Sequence, residues 1–194
     1  MEKQLPGVGK SSFDLIDSNK LLEALSVARG SVFADLGCGR GDYALQAALL
    51  VGEGGTVYAI DLWEEGLAAL RKEAELRGLR QLKALAADIC TALPVERQSV
   101  DLCLLATVLH DLVREGCAEG TIRETRRILR PQGTLAVVEF KKFDGHPGPP
   151  IDVKLSPEQV EQVVASHGFT KKEITEIGPY NYLITFTLPH STER

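Results

Sequence analysis

The sequence lacks the features that would indicate a membrane protein, a secreted protein or a zinc site. No apolar run approaches the roughly 20 residues that a transmembrane helix needs. The segment from Met1 to Gly7 has no apolar core of the kind found in signal peptides. Cysteine is scarce, and the four present form no C-x-x-C pair: Cys38, Cys90, Cys103 and Cys117. We therefore expect a cytoplasmic protein with no membrane span, no metal and reduced, mostly buried thiols.

An excess of positive charge is also missing. The 27 acidic residues outnumber the 22 Lys and Arg residues, which gives a net charge of −5 at pH 7. Because nucleic-acid binding usually needs a basic face, we expect no nucleic-acid partner. One predicted helix contains four arginines, which form either a solvated helix face or a basic surface for a partner. They are Arg123, Arg126, Arg127 and Arg130. A length of 194 residues with 44% hydrophobic residues predicts a single domain with a substantial core.

The most informative feature that is present is a glycine-rich turn between Ala34 and Asp42. It follows a short apolar run, which predicts a buried strand, and it precedes an apolar-rich helix. The glycines let the backbone turn sharply and approach a ligand, and the free N–H groups of the helix point to the same place. This arrangement predicts a nucleotide-type binding turn, with four candidate contact residues: Gly37, Cys38, Gly39 and Gly41.

Two acids in this turn indicate the kind of ligand. Asp35 lies at the end of the predicted strand, where a carboxylate would repel a pyrophosphate and attract a positive charge. Asp42 occupies the last position of G-x-G-x-x-G, where dinucleotide-binding turns have Gly or Ala. S-adenosylmethionine carries an ammonium and a sulfonium and has no phosphate, so it suits such a turn. The pattern D-x-G-x-G-x-G resembles the first motif of the class I S-adenosylmethionine-dependent methyltransferases.

The order of predicted elements is similar to that family over nearly the whole chain. Strands alternate with helices, which predicts right-handed crossovers and a mostly parallel sheet, and a short turn joins the last two strands. The resemblance implies an α/β fold with one doubly wound, seven-stranded sheet, its last strand antiparallel, and helices on both faces. It divides the domain 1–194 into an N-terminal helical segment over the cofactor site (1–30), a cofactor-binding core (31–140) and a substrate-side C-terminal part (141–194).

The sequence also predicts the bounds of two helices and of the fifth strand. An amphipathic pattern predicts an N-terminal helix over 12–26. A second helix is expected over 121–130, stopped by Pro131 and Gly133. The fifth strand is then expected over 134–140.

Acids also follow the second and third predicted strands. Asp61 and Asp88 resemble the family's ribose-binding and adenine-binding residues, although Asp61 would also suit a helix N-cap and Asp88 a turn. Leu62 and Ile89 are expected to sandwich the adenine ring.

The fourth predicted strand ends near the expected acceptor. Ala106 is a candidate cofactor contact, and Leu109 and His110 are candidate pocket residues within a V-L-H-D run. His110 has a reference pKa near neutrality, so it suits a general base that accepts a proton from the acceptor. Alternatively, His110 forms part of the pocket wall or contacts the cofactor, or it is unrelated to the site.

The fifth predicted strand ends in an E-F-x-K run that is similar to the ubiquinone and menaquinone C-methyltransferases. It places Glu139 and Lys141 at the rim of an acceptor cleft, with ordinary surface charge as the alternative for the lysine. Phe13 is expected either to help close this site or to pack on the sheet. The longer insertion that follows in those enzymes is absent here, which argues against a long isoprenoid acceptor.

These features predict an enzyme that moves a methyl group from S-adenosylmethionine to a small molecule by in-line displacement, as a monomer or homodimer. One alternative is a protein that binds S-adenosylmethionine as a sensor or partner without methyl transfer. An arsenite methyltransferase is a second alternative, because these enzymes share the fold and use several cysteines to hold arsenic. An NAD(P)-dependent reductase is a third. Asp35, Asp42 and Asp88 argue against the reductase.

Overall fold

Strands and helices alternate along the chain. The computed structural model describes residues 11–145 and 147–189. Its strands are β1 (Val32–Leu36), β2 (Thr56–Asp61), β3 (Leu82–Ala86), β4 (Val100–Ala106), β5 (Leu129–Phe140), β6 (Thr170–Glu176) and β7 (Asn181–Thr187). Its helices are α1 (Ser18–Leu25), α2 (Asp42–Val51), α3 (Glu64–Leu76), α4 (Leu109–Arg114), α5 (Ala118–Ile128) and α6 (Pro157–Ala165).

The strands form one sheet in the order β3-β2-β1-β4-β5-β7-β6. β1 pairs in parallel with β2 and with β4, whereas β7 runs antiparallel to β5 and β6. The predicted fold, a mostly parallel seven-stranded sheet with the last strand reversed, is confirmed. The strand order reverses between β1 and β4, and open α/β sheets bind their ligands beyond the carboxyl ends of the strands at such a point.

The sheet separates two apolar cores because alternate side chains of each strand point to opposite faces. Leu36, Leu105 and Val137 pack in the core that includes α5 and α6. Phe33 and Leu104 pack in the other core, with α1, α2 and α3. Helices therefore cover both faces, and the strand ends are left to form the site.

The predicted N-terminal helix over 12–26 is wrong in its first part. A single 3-10 turn covers Phe13–Leu15, and α1 begins only at Ser18. The Asp17 side chain caps α1 by accepting N–H bonds from its first turn at 3.1 and 3.2 Å. The Asp17 backbone N–H donates to the Ile177 carbonyl at 2.6 Å, so the break ties this segment to the connection between β6 and β7.

Two further boundaries differ from the prediction. α5 covers Ala118–Ile128 rather than 121–130, and β5 begins at Leu129 rather than at 134. Pro131 does not end the strand, because the chain bulges there: the pairing with β4 shifts register between Val100 and Leu102. Gln132 adopts a φ of 64° within this bulge. The sequence pattern does not predict the short helix α4, which begins three residues after the end of β4.

Candidate active site

Three predicted acids lie at the carboxyl ends of neighbouring parallel strands. Asp35 is in β1, Asp61 ends β2, and Asp88 follows β3 by two residues. Asp61 connects two of these ends: its carboxylate accepts the Gly39 N–H at 2.7 Å and the Trp63 N–H at 2.9 Å. A carboxylate has about four acceptor positions, so Asp61 keeps capacity for ribose hydroxyls.

Asp35 is the most unusual side chain of the site. It is 1% exposed, and neither carboxylate oxygen has a hydrogen-bond partner among the residues that the structure describes. Burial, followed by the charges of Asp61 and Asp42, raises its pKa to about 8, although the nearby Ala44 amide opposes this. Buried polar groups are almost always paired, so two unpaired oxygens fit a ligand that brings a cation, such as the ammonium of S-adenosylmethionine.

The glycine turn packs closely against the loops that follow β3 and β4. Gly37 has a φ of +77°, and a Cβ on it would lie 2.7 Å from Cγ2 of Val108 and 3.5 Å from Cδ1 of Ile89. Only glycine fits this narrow space between the loops that follow β3 and β4. Gly41 is the N-cap of α2, so the free N–H groups of that helix begin at the turn.

Cys38 is buried within the turn. Burial, with the charges of Asp35 and Asp61, raises the pKa of its thiol well above the ordinary range, so the thiol stays protonated. All four cysteines are free thiols. Within residues 11–145 and 147–189, no group of three or more His, Cys, Asp or Glu side chains could hold a metal ion.

The predicted adenine and methionine contacts lie at or just after the ends of β2, β3 and β4. Asp88 accepts the Cys90 N–H at 2.9 Å, which makes it a turn residue whose carboxylate keeps acceptor capacity. Ile89 is buried beside the turn, Leu62 is about half exposed, and Ala106 is partly buried at the end of β4. The sandwich of an adenine ring by Leu62 and Ile89 stays a prediction.

His110 and Glu139 form a buried pair that the sequence separates by 29 residues. His110 Nδ1 lies 2.8 Å from Glu139 Oε2, and the His110 backbone N–H donates to Oε1 at 3.0 Å. Burial works to lower the pKa of His110, but the hydrogen bond and charge of Glu139, with the charge of Asp111, outweigh it and raise that pKa. The nearby Arg114 opposes this increase.

Several predicted pocket residues lie elsewhere than expected. Glu139 is fully buried rather than at a cleft rim, because its carboxylate turns inward to His110. Leu109 is fully buried in the core, since the first turn of α4 directs it there. The Phe13 ring meets the Tyr43 ring edge-on at 5.0 Å and lines a small apolar cavity under α1, which favours the packing alternative. Lys141 pairs with Glu176 at 3.2 Å.

Three hydroxyl side chains that the sequence does not single out lie near the site. Ser12 Oγ lies 2.8 Å from Tyr43 Oη and 3.1 Å from Thr107 Oγ1. Thr107 immediately follows β4 in a left-handed conformation, with a φ of 55°. The N-terminal segment is thereby fastened to residues on both sides of the crevice between β1 and β4. A serine, a tyrosine and a threonine far apart in sequence give no local signal for this contact.

Comparison with known proteins identifies the class to which this fold and site belong. The sequence matches the methyltransferase-domain family over residues 28–178. The solved structure of an S-adenosylmethionine-dependent methyltransferase from Aquifex aeolicus superposes with a TM-score of 0.83 at 26% identity, over 93% of this chain and 94% of that one. The chain belongs to the methyltransferase-domain family, and the predictions of a class I methyltransferase domain and of S-adenosylmethionine as its cofactor are confirmed.

Two relatives match shorter segments. The ubiquinone/menaquinone biosynthesis C-methyltransferase UbiE of Azotobacter vinelandii is 33% identical over 122 residues, 62% of this chain and 47% of that protein. A probable cobalt-precorrin-6B C(15)-methyltransferase (decarboxylating) of Pyrobaculum calidifontis is 45% identical over 58 residues, 30% of each chain. The chain thus spans less than half the length of these curated relatives. No helix in the described part of the chain is long and apolar enough to cross a membrane.

Proposed function

We propose that this protein transfers a methyl group from S-adenosylmethionine to a small-molecule acceptor. The observation that carries the proposal is Asp35, a buried carboxyl at the switch point of the sheet whose two oxygens have no hydrogen-bond partner within residues 11–145 and 147–189. S-adenosylmethionine supplies a methyl group on a sulfonium: the methyl–sulfur bond breaks, its electron pair stays on sulfur, and a bond to the acceptor forms.

The chain's own residues hold the two reactants. Asp35 would take the ammonium, Asp61 the ribose hydroxyls and Asp88 the adenine amino group. The acceptor would lie beyond the ends of β4 and β5, the part of the sheet edge that the cofactor residues leave free. Alignment and exclusion of water supply most of the acceleration for an activated methyl group, so the site needs few further catalytic groups.

Two observations support a small molecule as the acceptor. Three of the four arginines in and after α5 are used within the protein. Arg127 donates to two carbonyls at 2.9 and 3.0 Å, Arg126 to the His167 carbonyl at 2.6 Å, and Arg130 to Asp101 at 2.5 Å. Arg127 and Arg130 also form ion pairs with Glu124 and Asp101, which offset part of the positive charge that a nucleic-acid surface would need. Both curated relatives are named for methyl transfer to carbon of a small molecule.

The test is transfer of a labelled methyl group from S-adenosylmethionine to a panel of small hydroxylated and carbon-acid acceptors. We expect labelled product with the wild-type chain, a large loss with Asp61→Asn, and normal activity with Asp152→Asn, a matched change at an exposed site. Cofactor binding without transfer to any acceptor would favour the sensor or partner alternative instead.

A further inference from the structure

Two of the four free cysteines lie together beside Asp88, the predicted adenine-binding residue. Cys90 follows the end of β3 by four residues, and Cys117 is the N-cap of α5. Both are partly exposed, whereas Cys38 and Cys103 are buried, at 8% and 0% exposure. A reagent in solution can therefore reach this pair, the Cys90–Cys117 dithiol, more readily than the other two thiols.

The first turn of α5 holds Cys117 against Cys90. Gly120 lies three residues after Cys117 and so on the same side of the helix. A Cβ on Gly120 would lie 2.5 Å from the Cys90 carbonyl oxygen, so the backbone of Cys90 packs directly on this turn. The Cys90 thiol interacts with the Cys117 thiol and with the Asp88 carboxylate. Burial, followed by these two contacts, raises the pKa of the Cys90 thiol to about 12.

The same helix fastens the loop that follows Cys90. The Glu124 carboxylate accepts the Leu93 N–H at 2.9 Å. The Arg127 guanidinium donates to the carbonyls of Leu93 and Val95 at 2.9 and 3.0 Å. Because these bonds fix the loop to α5, a movement of Cys90 is taken up by the turn before it.

That turn contains the predicted adenine contacts. The Cys90 N–H donates to Asp88 Oδ1 at 2.9 Å, and the Thr91 N–H donates to the Asp88 carbonyl at 3.1 Å. Ile89, between Asp88 and Cys90, is buried. A covalent bond between two sulfurs is shorter than the contact between two separate thiols. Closing such a bond therefore pulls Cys90 toward Cys117 and away from its bond to Asp88.

We propose that Cys90 and Cys117 form a reversible disulfide that weakens cofactor binding by displacing Asp88 and Ile89. This inference rests on the proposed function, which assigns the adenine to Asp88. The site is thus a modification site for a peroxide, with a thiol as the reductant that restores the binding form.

The chemistry of the two thiols assigns them different roles. The positive end of the α5 dipole favours a thiolate at Cys117, whereas the Cys90 thiol stays protonated, so Cys117 reacts first. Peroxide oxidises Cys117 to a sulfenic acid and releases one water molecule. The Cys90 sulfur then forms the bond to the Cys117 sulfur. The Cys90 proton passes through the Asp88 carboxylate to the departing hydroxide, which leaves as a second water molecule.

The first test is chemical. Full-length protein is treated with hydrogen peroxide, and the bond is mapped by mass spectrometry of unreduced peptides. We expect a loss of two hydrogen masses per chain and one intramolecular bond, between Cys90 and Cys117, which dithiothreitol reverses. Cys117→Ser should keep its fold, since serine is a preferred N-cap, and form no such bond. Cys103→Ala, the matched change at a buried thiol, should still form it. A wild type without this bond would overturn the proposal.

The second test measures the Kd for S-adenosylhomocysteine by calorimetry before and after oxidation. We expect an increase of about tenfold or more in the oxidised wild type, through the disturbed hydrogen bonds of a charged group, and recovery after reduction. Cys117→Ser should show no increase. By linkage, a tenfold difference in Kd means that the saturating ligand raises the reduction potential of the dithiol by about 30 mV, which a glutathione titration measures.

The outcomes separate this inference from the proposed function. The same Kd for the reduced and the disulfide-bonded wild type would contradict the inference. Absence of S-adenosylhomocysteine binding by the reduced wild type would instead contradict the proposed function.

Discussion

Replacing Asp35 by asparagine should remove the part of the pH dependence of cofactor binding that comes from this carboxyl group. The pKa of Asp35, about 8, means that the buried carboxyl is mostly protonated at neutral pH. An arriving ammonium favours the carboxylate, so binding should expel this proton. With that pKa, binding should release ~0.9 protons at pH 7 and ~0.1 at pH 9 from this residue. The side-chain amide of the Asp35→Asn variant has no such proton to release.

Calorimetric titration with S-adenosylhomocysteine in buffers of different ionisation enthalpy measures the proton count. The difference between the wild type and Asp35→Asn isolates Asp35 from the ligand's own amino group. Methylthioadenosine, which has the same thioether and adenosine but no ammonium, is the matched ligand and should release no proton from Asp35. Equal proton release by the two proteins at pH 7 would refute the reasoning.

The same residue predicts how the free protein responds to pH. Because its pKa in the folded state is above the ordinary value of 3.8, Asp35 contributes stability that is complete below that value and is lost as the pH rises through about 8. The full change is on the order of 5 kcal/mol, since one pKa unit corresponds to about 1.4 kcal/mol. Urea unfolding of Asp35→Asn should therefore show a weaker decrease in stability from pH 5 to pH 8 than the wild type.

Three other predictions test the cofactor site and the N-terminal segment beside it. Gly37→Ala should weaken S-adenosylhomocysteine binding at least tenfold in calorimetry, whereas Gly78→Ala, with a similar φ of +68° but open space around it, should lower only the Tm. Asp61→Asn should weaken binding by about 10- to 100-fold through lost hydrogen bonds to charge, and unchanged affinity would remove Asp61 from the ribose site. Ser12→Ala should lose its bond to Tyr43, lowering the free energy of unfolding by about 1 kcal/mol and increasing hydrogen exchange in the N-terminal segment.

Strands and helices whose signal lies within a short stretch of residues could be predicted from the sequence. β-branched and apolar runs predict the strands, and Ser156 followed by Pro157 marks the start of α6, where the structure shows a complete capping box. The acids at the strand ends could be predicted because parallel neighbouring strands end at the same edge. Asp35, Asp61 and Asp88 therefore point to one site although 53 residues separate the first from the last.

The remaining features depend on contacts between distant residues. The sequence predicts Glu139 at the rim of the acceptor cleft. Its carboxylate turns inward to His110 only because α4 packs against the end of β5. The break before α1 depends on the bond between Asp17 and Ile177, which competes with an apolar pattern that alone favours one long helix. The bulge at Gln132 lets β5 continue past Pro131, because pairing with β4 resumes beyond it.

The most direct test of the central claim is thermal stability of the protein with S-adenosylmethionine, S-adenosylhomocysteine or NAD(P)H. A ligand at about 100 times its Kd adds roughly 2.7 kcal/mol to the folded state, which increases the Tm by several degrees. We predict an increase with the first two ligands and none with NAD(P)H. No increase with either adenosyl ligand, in a protein that unfolds cooperatively, would contradict the assignment of the cofactor site around Asp35.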